Sequence, residues 1–368
     1  MRFAPPLYPA CRLDPGLPTG LLLLGMGGPD GQDAVEPFLT NLFADPLVLP
    51  VPRWLSRPLG RLIVRRRVDE VRARYRDLGH GGGSPQLDWT RRQAIHLASL
   101  LGERGLAVQP GVAMRYWHPF TGDALADLRR QDVRQLAVVP TYPQFSVATT
   151  GTSLAELERA LRELRWAPPR HVMREWPLLP GYVDHLAGRA AAVLAGWRAA
   201  GKDPARTALV YTAHSLPERF ARGGDPYARQ TRATVRAAHR RLCELVADRS
   251  YVEALAAGGA EPVLAFQSKV GPVRWLGPAT VRTCLDLVTR RGVRHLVVVP
   301  VSFSCEHIET IDELDRELGA ALRDAGLVDF ARTPALNLEP GWLDSLADRV
   351  ASRAFGVASA GRQEIPHA

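Results

Sequence analysis

The sequence predicts an α/β protein of two similar Rossmann-like lobes, each a parallel sheet covered by helices, with an active-site cleft between them. Three observations carry that prediction. Short apolar runs, GLLLLGM (20–26), LAVVPTY (136–142), ALVYTAH (208–214), PVLAFQS (262–268) and HLVVVPV (295–301), alternate with stretches of helical periodicity. The runs are apolar on both faces, as expected of strands covered on each side, rather than alternating as in a half-exposed antiparallel sheet. Part of the chain also repeats. VRQLAVVPTYPQFS from Val133 and VRHLVVVPVSFSCEH from Val293 share Val, Arg, Leu, Val, Val and Pro in one register, and LLLLGMGGP faces LVYTAHSLP.

The expected order is a first lobe over 1–180, a second over 181–330, and a C-terminal helix and tail over 331–368. Between the strands, TRRQAIHLASLLGERG (90–105), SLAELERALREL (153–164) and DHLAGRAAAVLAGWRAAG (184–201) read as helices closed by Gly or a turn. In doubly wound sheets ligands gather outside the carboxyl ends of the strands, and here those ends carry the unusual residues.

Composition narrows the function classes. A chain of 368 residues with 46% hydrophobic content folds around a sizeable core. The net charge of +9 comes from arginines scattered among acids, with Lys202 and Lys269 the only lysines, so it reads as solvated helix faces rather than a nucleic-acid surface. Cys11, Cys243, Cys284 and Cys305 are far apart and form no CxxC pair, which predicts a reducing compartment, with neither disulfide framework nor zinc knuckle. The N-terminal MRFAPPLYPACRLDPGLP has no charged head before an apolar core, and no window reaches the roughly 18 apolar residues of a membrane span. A cytoplasmic protein is expected.

Three strand ends invite a chemical reading. GMGGPDG, Gly25 to Gly31, fails as a dinucleotide fingerprint because Asp30 stands where the last glycine is needed, and it reads instead as a tight strand-to-helix turn. VYTAHSLPERF ends a strand on His214, which alone is either a structural or a catalytic histidine. HLVVVPVSFSCEHIETIDELDRELG empties a strand into Cys305, Glu306, His307 and Glu309, where a plain strand-to-helix turn would use Gly, Ser or Asp. The helix that follows aligns Glu306, Glu309, Glu313 and Glu317 beside an apolar stripe of Ile308, Ile311, Leu314, Leu318 and Leu322. Like charges four residues apart oppose one another by roughly 0.2–0.5 kcal/mol per pair. The line is either a solvated face, favoured in its first turn by the helix dipole, or a conduit for a dication or protons.

Taken in order, LLLLGMGGPD, YRDLGHGGGSP, AMRYWHPFT, TYPQFSVATTGTSL, YTAHSLPERF, GGDPYARQ, FQSKVGPVRWLGP and VSFSCEHIETIDELD resemble the successive signatures of ferrochelatase, which inserts ferrous iron into a porphyrin at the end of haem synthesis. The resemblance runs from about residue 20 to 330, and it is to the metal-cluster-free, protoporphyrin-type form. It implies that His214 is the invariant histidine, Glu309 its partner acid, and Glu309, Glu313 and Glu317 an acidic line handling metal with Glu306 and His307 beside it. It further implies that Met26, Tyr75, Arg115, Tyr142, Trp275 and Phe303 face the porphyrin, and that Arg67 and Ser84 lie near its propionates. Within AVEPFLTNLFADPLVLPVPRWL (34–55) it implies an apolar lip around Leu39, Leu42 and Phe43, able also to touch a membrane surface. The implied substrates are porphyrin and Fe(II), with no permanently bound cofactor, no nucleic-acid partner and a monomeric state.

This chain departs from the family pattern in three places. GHGGGSP looks about two residues longer than usual, Glu306 stands where Asp is common, and the tail GVASAGRQEIPHA has no cysteine, so no iron-sulfur cluster is expected. The residue chemistry suits the implied reaction. Two pyrrole protons must leave and the ring must buckle, which calls for a base on one face, and neutral His214 with Glu309 on its other nitrogen is the candidate, as proton acceptor or as last iron ligand. Aromatic and sulfur groups would grip the macrocycle, and Arg115 would pair with a propionate. Met26 matches protoporphyrin-type members, whereas coproporphyrin-type members tend to carry tyrosine there. A cobalt or nickel chelatase and a non-catalytic porphyrin carrier are the alternatives from other classes.

Overall fold

Runs that are apolar on both faces become buried parallel strands. In β1 (Thr19–Gly25) the leucines Leu21 to Leu24 are at most 1% exposed, and β1 pairs in parallel with β2 (Val108–Met114) on one side and β3 (Gln135–Pro140) on the other. β4 (Arg170–Val172) adds to β3, giving the order β2-β1-β3-β4. Parallel neighbours need crossovers, and helices supply them. They are α1 (Val35–Ala44), α2 (Arg53–Asp77) and α3 (Gln86–Glu103) between β1 and β2, α4 (Thr121–Arg130) before β3, and α5 (Thr152–Glu163) before β4.

The structure is a computed structural model and describes residues 8, 11–48, 53–246, 248–269 and 273–357. The end of the tail, 358–368, and Val270 to Pro272 of the FQSKVGPVRWLGP stretch lie outside the described residues.

After α6 (Pro180–Ala199) the pattern is repeated. β5 (Thr207–His214) is followed by α7 (Glu218–Arg222), α8 (Tyr227–Leu245) and α9 (Arg249–Glu253), then β6 (Val263–Gln267), α10 (Thr280–Arg291), β7 (His295–Pro300), α11 (Ile308–Thr310), α12 (Gly319–Asp324), β8 (Asp329–Arg332) and α13 (Pro340–Val350). The second sheet runs β6-β5-β7-β8, all parallel, in the same relative order as the first. The internal repeat read from Val133 and Val293 is therefore a repeat of topology, with β1 matching β5 and β3 matching β7. Even the exit from the third strand is shared: a π-helical stretch, Val147–Gly151 after β3 and Ile311–Leu318 after β7, runs straight into a following α-helix. Such stretches are rare and concentrate at functional sites.

The chain divides into two compact units. Among the described residues, one holds the first sheet together with residues 346–357, and the other spans Trp176–Ser345. In the first, Leu22, Leu24, Leu136 and Val138 pack with Leu125, Leu128, Leu154 and Leu157 of the helices, and Leu13 N donates to Ala354 O at 2.7 Å. In the second, Val210, Leu296 and Val298 pack with Leu314, Leu318 and Leu322, so the leucines of the predicted apolar stripe meet the sheet, while Ile308 and Ile311 are half-buried outside this core. No helix among the described residues is long and apolar enough to cross a membrane.

Candidate functional site

In the unit spanning Trp176–Ser345, three strands deliver polar residues to one end of the sheet. β5 ends on His214, β6 ends on Gln267, and β7 is followed by the turn that carries Glu306, His307 and Glu309. Register explains the meeting: His214 lies opposite Gln267 across the β5–β6 ladder, and Thr212 opposite Pro300 across β5–β7.

His214 is held from both nitrogens. Nδ1 lies 2.6 Å from the carbonyl of Ser215, so that nitrogen carries a proton, and Nε2 lies 3.3 Å from Oε1 of Glu309. A lone pair on Nε2 would face a carboxylate, whereas an N–H there pairs with it. Burial opposes the charged ring, but Glu309, Glu313 and the Ser215 carbonyl outweigh it and push the pKa up to about 9. The resting ring is thus an imidazolium near pH 7, which differs from the neutral base expected from the sequence. The orienting hydrogen bond on Nδ1 comes from the backbone, and Glu309 sits on the reactive side.

Glu309 also faces His307, whose Nε2 is 3.8 Å from Oε2. Burial lowers the pKa of His307, helped by the His214 charge and opposed by Glu309 and Glu306, so this second ring is the neutral one. Phe303 packs edge-on against it with ring centroids 4.5 Å apart. Tyr227, from α8, donates to the backbone carbonyl of His214 at 2.8 Å and shares a hydrogen bond with Ser302. Burial pushes the thiol pKa of Cys305 up to about 12, so it remains protonated and inert beside the cluster.

The four glutamates of the expected line occupy different surroundings. Glu313 accepts from Ser268 Oγ at 2.5 Å and from Gln267 Nε2 at 3.2 Å, and Gln267 also donates to the backbone carbonyl of Glu309 at 2.8 Å. Ser268 takes up a left-handed backbone, φ 63°, which a non-glycine residue adopts at some cost and which aims its hydroxyl at Glu313. Glu317 is exposed. Glu306 turns toward Arg332 at 2.7 Å and, although half-buried, is held below the usual carboxylate range by that guanidinium and by Thr310. Among the described residues no three His, Cys, Asp or Glu side chains converge tightly enough to form a ready metal site. Trp275 lies in the loop that bridges Pro217, and its indole N–H is buried with no hydrogen-bond partner among the described residues.

The other unit carries the remaining predicted residues. Met26 follows β1, and its carbonyl accepts from Tyr116 N at 3.0 Å. Tyr75 and Ser84 meet at Gly28, where an added Cβ would lie 2.5 Å from the Cβ of Ser84 and 3.8 Å from the Tyr75 hydroxyl, and Ser84 N donates to Pro29 O at 2.7 Å. The glycine of GMGGP thus permits a close approach of side chains that the sequence could not locate. Arg67 is half-buried on α2, and Leu42 and Phe43 are half-buried near the end of α1, where Gly60 lets the α2 backbone come close to Phe43. Tyr142 lies beyond β3, with its hydroxyl pKa raised by burial. Arg115 is engaged internally: Nη2 is 2.7 Å from Asp45 and Nε 2.8 Å from Thr152, and Tyr116 and Thr152 also donate to the same buried Asp45.

Sequence reasoning missed Gln267, Ser268, Tyr227, Arg332 and Asp45. The first two were within reach, since they stand at the carboxyl end of a strand inside a quoted motif. Tyr227 also stands inside a quoted motif, GGDPYARQ, but on a helix, and Arg332 and Asp45 lie outside the successive signatures.

Comparison with known proteins gives the family of the chain. The family model described as ferrochelatase matches residues 18–354. The chain is 38% identical over 337 residues to a ferrochelatase of Picosynechococcus sp., covering 90% of this chain and 82% of that one. It is also 38% identical over 344 residues to a ferrochelatase of Synechococcus sp. strain RCC307, covering 92% and 83%. Among solved structures, CbiX, described as the terminal enzyme of siroheme biosynthesis in denitrifying bacteria, is similar with a TM-score of 0.48 at 16% identity, covering 90% of this chain and 98% of that one. With the family model spanning nearly every described element and these relatives matching over most of their length, the chain belongs to the ferrochelatase family and is a metal-inserting enzyme.

Proposed function

We propose that the enzyme inserts Fe(II) into protoporphyrin IX to form protohaem, with His214 and Glu309 as its working pair. The observation that carries the reading is the 3.3 Å contact of His214 Nε2 with Glu309 at a strand end, beside His307 and the hydroxyl-held Glu313. Iron is a substrate, and the reaction exchanges two pyrrole protons for one dication with no change of oxidation state, so no resident cofactor is required. A ferrous ion arriving beside Glu309 and Glu313 offsets the negative charge that holds the His214 proton. The ring then releases that proton to solvent, and Nε2 becomes free to accept the two pyrrole protons one after the other and pass each to solvent, or to bind the ion before transfer.

Protoporphyrin rather than coproporphyrin is favoured by Met26, where coproporphyrin-type relatives tend to carry tyrosine, and by apolar Leu39, Leu42 and Phe43 on α1. Four propionates need more donors or water than two do, and an unpaired carboxylate against such residues costs on the order of several kcal/mol. The half-buried Leu42 and Phe43 also support peripheral contact with a membrane surface. Steady-state assays with both porphyrins test the substrate. kcat/KM should favour protoporphyrin by at least about tenfold, equivalent to ~1.4 kcal/mol, and a preference for coproporphyrin would overturn the reading.

A further inference from the structure

We infer that Arg332 is a positioning residue of the metal-inserting site, fixing the turn that presents His307 and Glu309, and that Glu306 and Asp315 belong to its clamp and not to the iron ligands. The inference rests on the proposed role of Glu309, but the clamp itself is visible without it.

Arg332 is the last residue of β8, and its side chain is only 10% exposed. Its guanidinium forks onto Asp315 through Nε at 2.7 Å and Nη2 at 2.6 Å, and Nη1 reaches Glu306 Oε1 at 2.7 Å. One planar cation thereby ties the π-helical stretch to the turn that precedes it, a geometry a lysine cannot reproduce. Glu306 is held on both carboxylate oxygens in return. Its carboxylate also accepts from Ala335 N at 2.9 Å and from Thr310 Oγ1, and its own N–H donates to Asn337 Oδ1 at 2.9 Å. Thr310 Oγ1 in turn accepts from His307 N at 3.1 Å. The turn is therefore gripped immediately before His307 and immediately after Glu309. Three of the roughly four acceptor sites of this carboxylate are thus taken by the clamp, whereas Glu309 faces two imidazoles.

The decisive comparison uses the full-length protein with Arg332→Met, Arg332→Lys, Glu306→Gln and Glu309→Gln. Hydrogen exchange of the 304–310 amides, without metal or porphyrin, should quicken in Arg332→Met and only partly in Arg332→Lys. In metallation assays Arg332→Met should lose on the order of tenfold to a hundredfold in kcat, as misplaced catalytic groups do, with KM for porphyrin changed less than about twofold. Glu306→Gln should lower kcat with little rise in KM for iron, whereas Glu309→Gln should lower kcat and raise KM for iron as well. Unchanged exchange in Arg332→Met overturns the clamp. Quickened exchange with wild-type kcat overturns the positioning role, and a rise in KM for iron in Glu306→Gln as large as in Glu309→Gln returns Glu306 to the ligands. Absence of metallation by the wild-type enzyme itself would count against the proposed function, leaving the exchange result to judge the clamp. If Arg332→Met does not fold, Arg332→Lys carries the same tests.

Discussion

Replacing His214 by Asn keeps a polar side chain of similar reach while removing the imidazole that pairs with Glu309, so the variant isolates the energy of the His214–Glu309 contact. The folded-state pKa of about 9 lies above the ordinary 6.5. Protonated His214 therefore stabilises the fold fully below about pH 6.5, and the contribution is lost as pH rises through about 9. At 1.36 kcal/mol per pH unit the upper limit is about 3.4 kcal/mol. The His214 and Glu309 side chains are 32% and 25% exposed, so solvent screens the pair and about 2 kcal/mol is the better figure. Urea unfolding of both proteins at about pH 6 and about pH 9.5 gives the wild-type minus variant difference at each pH, in which all other titrations nearly cancel. That difference should shrink by about 2 kcal/mol at the higher pH. A difference independent of pH would refute the imidazolium and with it the role given to Glu309.

Two further substitutions probe the chemistry. His214→Ala should abolish metallation while the protein still binds porphyrin, measured by fluorescence quenching, because the residues proposed to grip the porphyrin, such as Met26 and Tyr142, are distinct from the pair; near wild-type turnover would remove His214 from the reaction. Glu313→Ala should raise KM for iron more than KM for porphyrin, and Glu317→Ala should do so less, since Glu313 is held by Ser268 and Gln267 while Glu317 is exposed. Equal effects on both substrates, or none, would make the acidic line a solvated face.

The strand-helix alternation and the doubled topology were legible because strands buried on both faces advertise themselves as continuous apolar runs, and β3 and β7 repeat almost residue for residue. The His214–Glu309 pairing was legible too, since β5 and β7 are neighbouring parallel strands of one sheet and their carboxyl ends lie side by side. The carboxylate line was only half legible. Steps of three and four suggest one α-helical face, but Ile311–Leu318 is π-helical, and each acid found its own partner: Arg332 for Glu306 and Asp315, Ser268 for Glu313, Arg316 for the buried Asp312. Nothing local in the sequence marks a π turn. The protonation of His214 was hidden as well, because it depends on which nitrogen faces Glu309. The same holds for Asp45, whose grip on Arg115 joins residues far apart in the chain, and for the return of the C-terminal residues to the first sheet through contacts such as Arg104–Asp348 at 2.8 Å.

The account stands most directly on the initial rate of haem formation when the purified enzyme meets Fe(II) and protoporphyrin IX without oxygen, followed by the change in porphyrin absorbance bands and compared with Glu309→Gln and the His214→Ala/Glu309→Gln double variant. The wild-type rate should lie far above the uncatalysed one, Glu309→Gln should lose most of it, and the double variant should fall little further than His214→Ala, because paired groups that act as a unit are not additive. A wild-type rate equal to that of buffer, or losses that multiply independently in the double variant, would contradict it.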